Sequence, residues 1–165
     1  MLFCCRYSVG ETTSELRQTL GTSDAALERP TDQSSSSGNV EFKDVSLTPE
    51  KFSLREVIAH LADLEETWLN RITSAVEYPG KEVENFDEDQ RAIDHKYSAK
   101  DIHHELEVFD NRRRDTVAYL SGLAEDDWSS TITHPTHGSM SVLEIVMYIV
   151  GHDMYHVHQV SQYLK

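Results

Sequence analysis

The sequence predicts an all-α protein, a four-helix bundle with a long connection between its second and third helices. Three observations predict it. Long segments carry apolar residues at helical spacing. Two of them open on a serine with a glutamate three residues later, Ser53/Glu56 and Ser141/Glu144, the capping-box pattern. No convincing segment alternates apolar and polar residues with period two, so strands are at most marginal. Four helices with one long crossover pack most simply as a bundle.

Residues 7–20 are a modest first helix, with Val9, Leu16 and Leu20 as a stripe weakened by Gly10 and the Thr12-Thr13-Ser14 run. An alternative start lies after Thr13 or Ser14 as N-cap, with Gly21 closing the helix. Asp24 to Arg29 adds a turn that Pro30 ends. Residues 31–50 read as a flexible insertion or connection: a serine-rich polar loop to Asn39, an extended or irregular piece from Val40 to Leu47, and a single helical turn opened by Thr48-Pro49-Glu50.

The second helix runs from Leu54 to about Val76, and Val57, His60, Leu61, Leu64, Trp68, Ile72 and Ala75 fall on one face. Pro79-Gly80 stops it. Residues 81–96 form the charged connection, with a short helical piece near Asp87 to Ile93. Ser98 opens the third helix, Ala99 to about Ser121, whose stripe is Ile102, Leu106, Phe109, Val117, Leu120 and Leu123. Arg112-Arg113-Arg114 inside it reads as a solvated face rather than an anion site. Gly122 is the stop. A loop follows, from Glu125-Asp126-Asp127-Trp128 to His134-Pro135-Thr136-His137-Gly138. Ser141 caps the last helix, which runs to the end; Val142 to Val150 is apolar nearly all round, and the helix is expected to be the most buried element.

The 165 residues suffice for one domain, 1–165, with a real core. Fifteen basic against 29 acidic side chains, a net charge of -14, repel phosphate backbones and anionic lipid heads, so neither nucleic acid nor a membrane surface is an expected partner. The only cysteines, Cys4 and Cys5, suit a reducing cytoplasm. The apolar start, Met1 to Cys5, lacks the marks of a signal peptide.

Nine histidines are many for this length. His95, His103, His104 and His158 fall on polar or flanking positions and read as surface residues. His134 and His137 read as turn or lid residues. His60 differs, because it stands between Val57 and Leu64 on the apolar face of the second helix; alone it is more often a hydrogen-bonded core histidine than a ligand. His152 and His156 are one turn apart on the face that Val142, Ile145, Ile149, Gln159 and Tyr163 share. The spacing can present two nitrogens to one ion, though the pattern alone is unspecific. Three imidazoles on adjacent core-facing stripes are costly to bury unless one divalent ion takes their lone pairs. Histidine ligands need acceptors that fix their tautomers, and Asp63, Asp153 and Gln159 are the candidates. For Asp63 and Asp153 a solvated helix position is as good a reading.

The segment Phe52-Ser53-Leu54-Arg55-Glu56-Val57-Ile58-Ala59-His60-Leu61-Ala62-Asp63-Leu64-Glu65, with Trp68-Leu69-Asn70-Arg71-Ile72 after it, resembles the second-helix signature of the DinB/YfiT-like superfamily. His134 to Gln159, above all Gly151-His152-Asp153 and His156 with Gln159, resembles the family's last-helix signature, and Leu27-Glu28-Arg29-Pro30 the segment after its first helix. The resemblance implies a four-helix bundle holding one divalent ion, nickel or zinc, by His60, His152 and His156. It further implies a small-molecule substrate, a homodimer, and transfer to low-molecular-weight thiols such as bacillithiol or mycothiol. The function expected is a small-thiol S-transferase; the alternatives are a metal-dependent hydrolase of a small substrate and a non-catalytic metal-binding bundle. The short polar first helix and the serine-rich insertion depart from the family's pattern. Three imidazoles leave coordination positions open, as a catalytic ion needs.

Overall fold

The computed structural model describes residues 51–163 together with Asp44 and Ser46, all within one compact unit, Val40–Lys165. The first helix and nearly all of the 31–50 insertion lie outside the described residues.

Helix α1 (Leu54–Glu77) is the second helix of the sequence reading, and its capping box is formed: Ser53 N–H donates to Glu56 Oε2 at 2.8 Å, and Ser53 Oγ accepts from the Glu56 N–H at 3.3 Å. All seven residues of its expected apolar face are buried, as are Ile58, Ala59, Ala62, Glu65 and Arg71. That is the signature of a helix with neighbours on two sides, and α1 packs along both other long helices.

The connection holds α2 (Glu88–Asp94), capped by Asp87 accepting from the Gln90 N–H, and a 3₁₀ turn over Tyr97–Ala99. Helix α3 (Ile102–Ser121) begins three residues later than expected, because Ser98 and Ala99 belong to that turn and Asp101 is the side chain that caps, accepting from the His104 N–H at 2.9 Å. Helix α4 is Val142–Tyr163. It is not the most buried element. Val142, Ile145 and Ile149 face inward, but Leu143, Met147, Tyr148 and Val150 are exposed among the described residues, and α1 takes the central place. An apolar run marks a helix as hydrophobic all round without saying how many neighbours it has.

The stretch read as loop before α4 contains strands. β1 (Lys81–Glu82) pairs in parallel with β2 (Thr131–His134), which pairs antiparallel with β3 (Gly138–Ser141), in the order β1-β2-β3. The hairpin turns through Pro135, Thr136 and His137, and Gly138 takes φ of 73°, which side-chain-bearing residues adopt at a cost. Thr131 to His134 does alternate half-buried and buried, but four residues are too short a run to separate from chance. Ile132 of β2 is fully buried in one cluster with Leu64, Trp68, Ile72 and Ala75 of α1 and Val142, Ile145 and Ile149 of α4. Burying each of the larger side chains contributes about 2 kcal/mol. The hairpin thereby fixes how α4 enters against α1.

Arg113 is another departure. It is buried, and it joins three helices. Its Nε donates to Glu65 Oε2 of α1 at 2.8 Å, its Nη2 to Glu65 Oε1, and its Nη1 to Asp153 Oδ2 of α4 at 2.6 Å. Arg112 donates to the Ala62 carbonyl and to Glu66, and Arg114 to Asp110. The arginine run therefore meets carboxylates on every side rather than water alone.

No helix among the described residues is long and apolar enough to cross a membrane.

Candidate metal centre

His60 on α1 and His152 and His156 on α4 come together. Candidate ligand atoms of the three lie within 4.8 Å of one another. His60 Nε2 stands 3.0 Å from His152 Nε2, which stands 3.2 Å from His156 Nε2. Metal–nitrogen bonds of about 2.0–2.1 Å put two imidazole nitrogens about 3.3 Å apart on a tetrahedral ion and about 2.9 Å apart at right angles. The observed separations fall in that range.

Local sequence explains the convergence. His60 has Val57 and Leu64 a turn to either side, so burying those residues turns the imidazole inward. The i, i+4 spacing stacks His152 and His156 on the stripe defined by Ile145, Ile149 and Gln159. Aromatic rings wall the cluster: Phe52 and Tyr97 lie 5.4 and 6.1 Å from the His60 ring, and Trp68 lies 6.1 Å from that of His152.

Burial, then the neighbouring imidazoles His156 and His152, pushes His60 down to about 3 from 6.5. His156 is pushed down to about 4 by burial and by His152. Neutral imidazoles with available lone pairs are what a divalent ion requires. His156 Nδ1 lies 3.0 Å from Gln159 Oε1, an acceptor, so its proton sits on Nδ1 and its Nε2 lone pair points to the cluster. One proton shared between two of three converging nitrogens leaves the third unmatched, whereas a cation satisfies all three. The side chains present therefore fit a divalent ion.

The tautomer-fixing candidates divide. Gln159 meets His156 Nδ1 through its Oε1, and its Nε2 donates to the Phe52 carbonyl at 3.5 Å. Asp153 is held by Arg113, with its Oδ1 3.9 Å from His152 Nδ1, too long for a hydrogen bond but close enough to favour a proton there. Burial alone would raise the Asp153 carboxyl; His152 and Arg113 hold it below the usual range. Asp63 does not reach His60. It accepts from Tyr97 Oη at 2.6 Å, from Arg91 Nε, and from His95 Nδ1 at 3.0 Å. One turn along a helix from His60 places Asp63 a step further round the axis, toward the connection. It touches the centre through Tyr97, whose hydroxyl it holds and whose ring lies against His60, and its charge partly offsets the downward push on His60. His60 Nδ1 and His152 Nδ1 have no hydrogen-bond partner among the described residues.

The other histidines follow the reading in part. His103, His104 and His158 are exposed, and His95 is exposed yet bound to Asp63. His134, read as a turn or lid residue, is buried at the end of β2; His137 is exposed and its ring lies 4.7 Å from that of His134. Tyr97 and Arg113 carried no signal in the sequence, because their partners are about 34 to 48 residues away.

A family model for the DinB superfamily matches residues 9–160. The chain also superposes on YfiT from Bacillus subtilis, described as a probable metal-dependent hydrolase with an unusual four-helix bundle topology; the TM-score is 0.76 at 16% identity, over 93% of this chain and 79% of that one. At that identity the likeness establishes the fold, the four-helix bundle. No curated protein matches the sequence. Matched over nearly its whole length, the chain belongs to the DinB superfamily.

Proposed function

We propose that the protein is a divalent-metal-dependent enzyme acting on a small molecule, and that the nucleophile it activates is a low-molecular-weight thiol of the bacillithiol or mycothiol kind. The observation that carries the metal is the convergence of three Nε2 atoms from two helices at 3.0 and 3.2 Å. The thiol rests on the resemblance of the His60 and His152–Gln159 segments to the superfamily's signatures. A bound divalent ion, nickel or zinc by that resemblance, supplies the Lewis acidity that makes a thiol or water nucleophilic near neutral pH. The chain's own residues set the conditions. Gln159 keeps the His156 proton on Nδ1, the rings of Phe52, Tyr97 and Trp68 pack against the imidazoles, and Arg113 holds Asp153 beside His152. No cysteine stands among the described residues, and the thiol is read as a cosubstrate. A homodimer is the expected assembly.

A second reading, hydrolysis with water in the place of the thiol, is favoured by the description of YfiT as a probable metal-dependent hydrolase. Untagged protein is expected to purify with or take up one divalent ion per chain, and His60→Ala to lose it; unchanged metal content in that variant would overturn the site. Metal-loaded protein incubated with electrophiles, with and without small thiols, separates the readings. Thiol-dependent turnover supports transfer, turnover indifferent to thiol supports hydrolysis, and a tightly bound ion without turnover leaves a binding protein.

A further inference from the structure

A cavity of about 220 Å³ is lined by Trp68, Arg71, His134 and Tyr148 among others. Trp68 is the wall it has in common with the surroundings of the three histidines. The Trp68 ring packs 6.1 Å from the His152 ring and 5.5 Å from Tyr148, which stands one turn before His152 on α4.

Arg71 is only 8% exposed. Its guanidinium is held between two rings, 5.2 Å from the centre of Trp68 and 5.5 Å from that of Phe86, and one Nη2–H is used on the Glu84 carbonyl at 3.0 Å. It makes no ion pair among the described residues. That is unusual here, since Arg113, the other buried arginine, has two carboxylates. A buried cation without an anion is costly, and its remaining N–H groups form a planar fork suited to a carboxylate. Glu88 also borders the cavity, but it is exposed at the start of α2 and does not pair with Arg71.

His134 adds a donor. Its Nδ1 accepts from the Thr136 and His137 N–H groups at 3.2 and 3.3 Å. Two donors on Nδ1 place the ring proton on Nε2. Burial, then the nearby Arg71 charge, holds His134 below the usual histidine range, so it is neutral at physiological pH. A guanidinium fork and one imidazole N–H, backed by aromatic faces, therefore line one small cavity.

We propose that this cavity binds a carboxylate of the substrate or cosubstrate, with Arg71 as its anchor and His134 as a second donor, while the rest of the molecule reaches the metal centre past Trp68 and Tyr148. This rests on the reading of the three-histidine cluster as the reaction centre and names the ligand class that it takes. A planar carboxylate meets the fork with both of its oxygens; a phosphate can meet the same fork but carries further charge and oxygens beyond it.

Binding is tested on the full chain with succinate as probe, its uncharged analogue succinamide as control and inorganic phosphate as competitor, all at constant ionic strength. Calorimetry or the fluorescence of Trp68, against which Arg71 stacks, reads the result. Succinate is expected to bind saturably, succinamide not to bind, and phosphate to compete poorly. Arg71→Gln is expected to weaken succinate by at least about tenfold, and His134→Gln by less. Equal binding of succinate and succinamide, no succinate binding, tighter binding of phosphate, or an unchanged affinity in Arg71→Gln overturns the proposal. The wild-type comparison of the three probes decides the matter even where Arg71→Gln fails to fold. The same titration on metal-free protein and on His60→Ala separates the two ideas. Succinate binding that persists in His60→Ala supports the pocket whether or not that variant has lost its ion, so a failure of the metal centre would show in metal content alone.

Discussion

Gln159 and the histidine protons are where residue chemistry meets function. Gln159→Leu keeps the volume and removes the acceptor on His156 Nδ1. Metal affinity is expected to fall about 10–100-fold, read by competition with a chelator of known affinity, with little change in helix content. The buried imidazoles also couple stability to pH. His60 and His156 are neutral in the fold down to about 3 and about 4, while their unfolded value is 6.5. Between pH 6.5 and 4 the unfolded chain therefore binds more protons than the folded one. Stability of the metal-free protein is expected to be level above 6.5 and to fall as pH drops through that window. Asp63 and Asp153, held below their ordinary 3.8, contribute stability that is lost only at lower pH still. Urea midpoints from pH 7 to 4 test this, and a His60→Phe variant should show a shallower slope. A pH-independent midpoint across the window would rule out buried neutral histidines.

At the scale of elements, the contact that joins α1, α3 and α4 is Arg113 with Glu65 and Asp153. Glu65 is 2% exposed, so truncating its partner leaves a carboxylate with no counter-charge. Arg113→Met is expected to cost about 3–5 kcal/mol, and Arg113→Met combined with Glu65→Leu to recover most of the loss. Denaturant unfolding of the single and double variants measures both. A double variant no better than the single would mean that Asp153 is the partner that matters. The same cluster shows why the Arg112-Arg113-Arg114 run was opaque in sequence. Three successive helical positions point in three directions, and a run of like charges does not reveal which one is turned inward. His60, by contrast, was legible because Val57 and Leu64 bracket it at one-turn spacing, and Gln159 because it continues the His152/His156 face.

Over the whole molecule, a ligand that binds only the folded form must stabilise it. With free metal at about 100 times its dissociation constant the gain is about 2.7 kcal/mol, or roughly 5–10 °C in melting temperature for a chain of this size. Nickel or zinc is expected to raise the melting temperature of wild-type protein, a chelator to reverse the rise, and His60→Ala to abolish it. Equal shifts in wild type and His60→Ala would place the ion elsewhere.

Spacing along the chain was enough for the helical class, the capping boxes at Ser53 and Ser141, and the inward faces of α1 and α4, hence for putting His60, His152 and His156 on those faces. All of these depend on spacings within a turn or two, where helix geometry converts sequence order directly into direction. Long-range packing set the rest: that Asp63 bonds Tyr97 rather than His60, that Arg113 is buried, that α1 rather than α4 is central among the described residues, and that Arg71 and His134 share a cavity. Each of these joins segments separated by tens of residues. Such pairings follow from how helices and the β2–β3 hairpin pack against one another, which local periodicity does not encode.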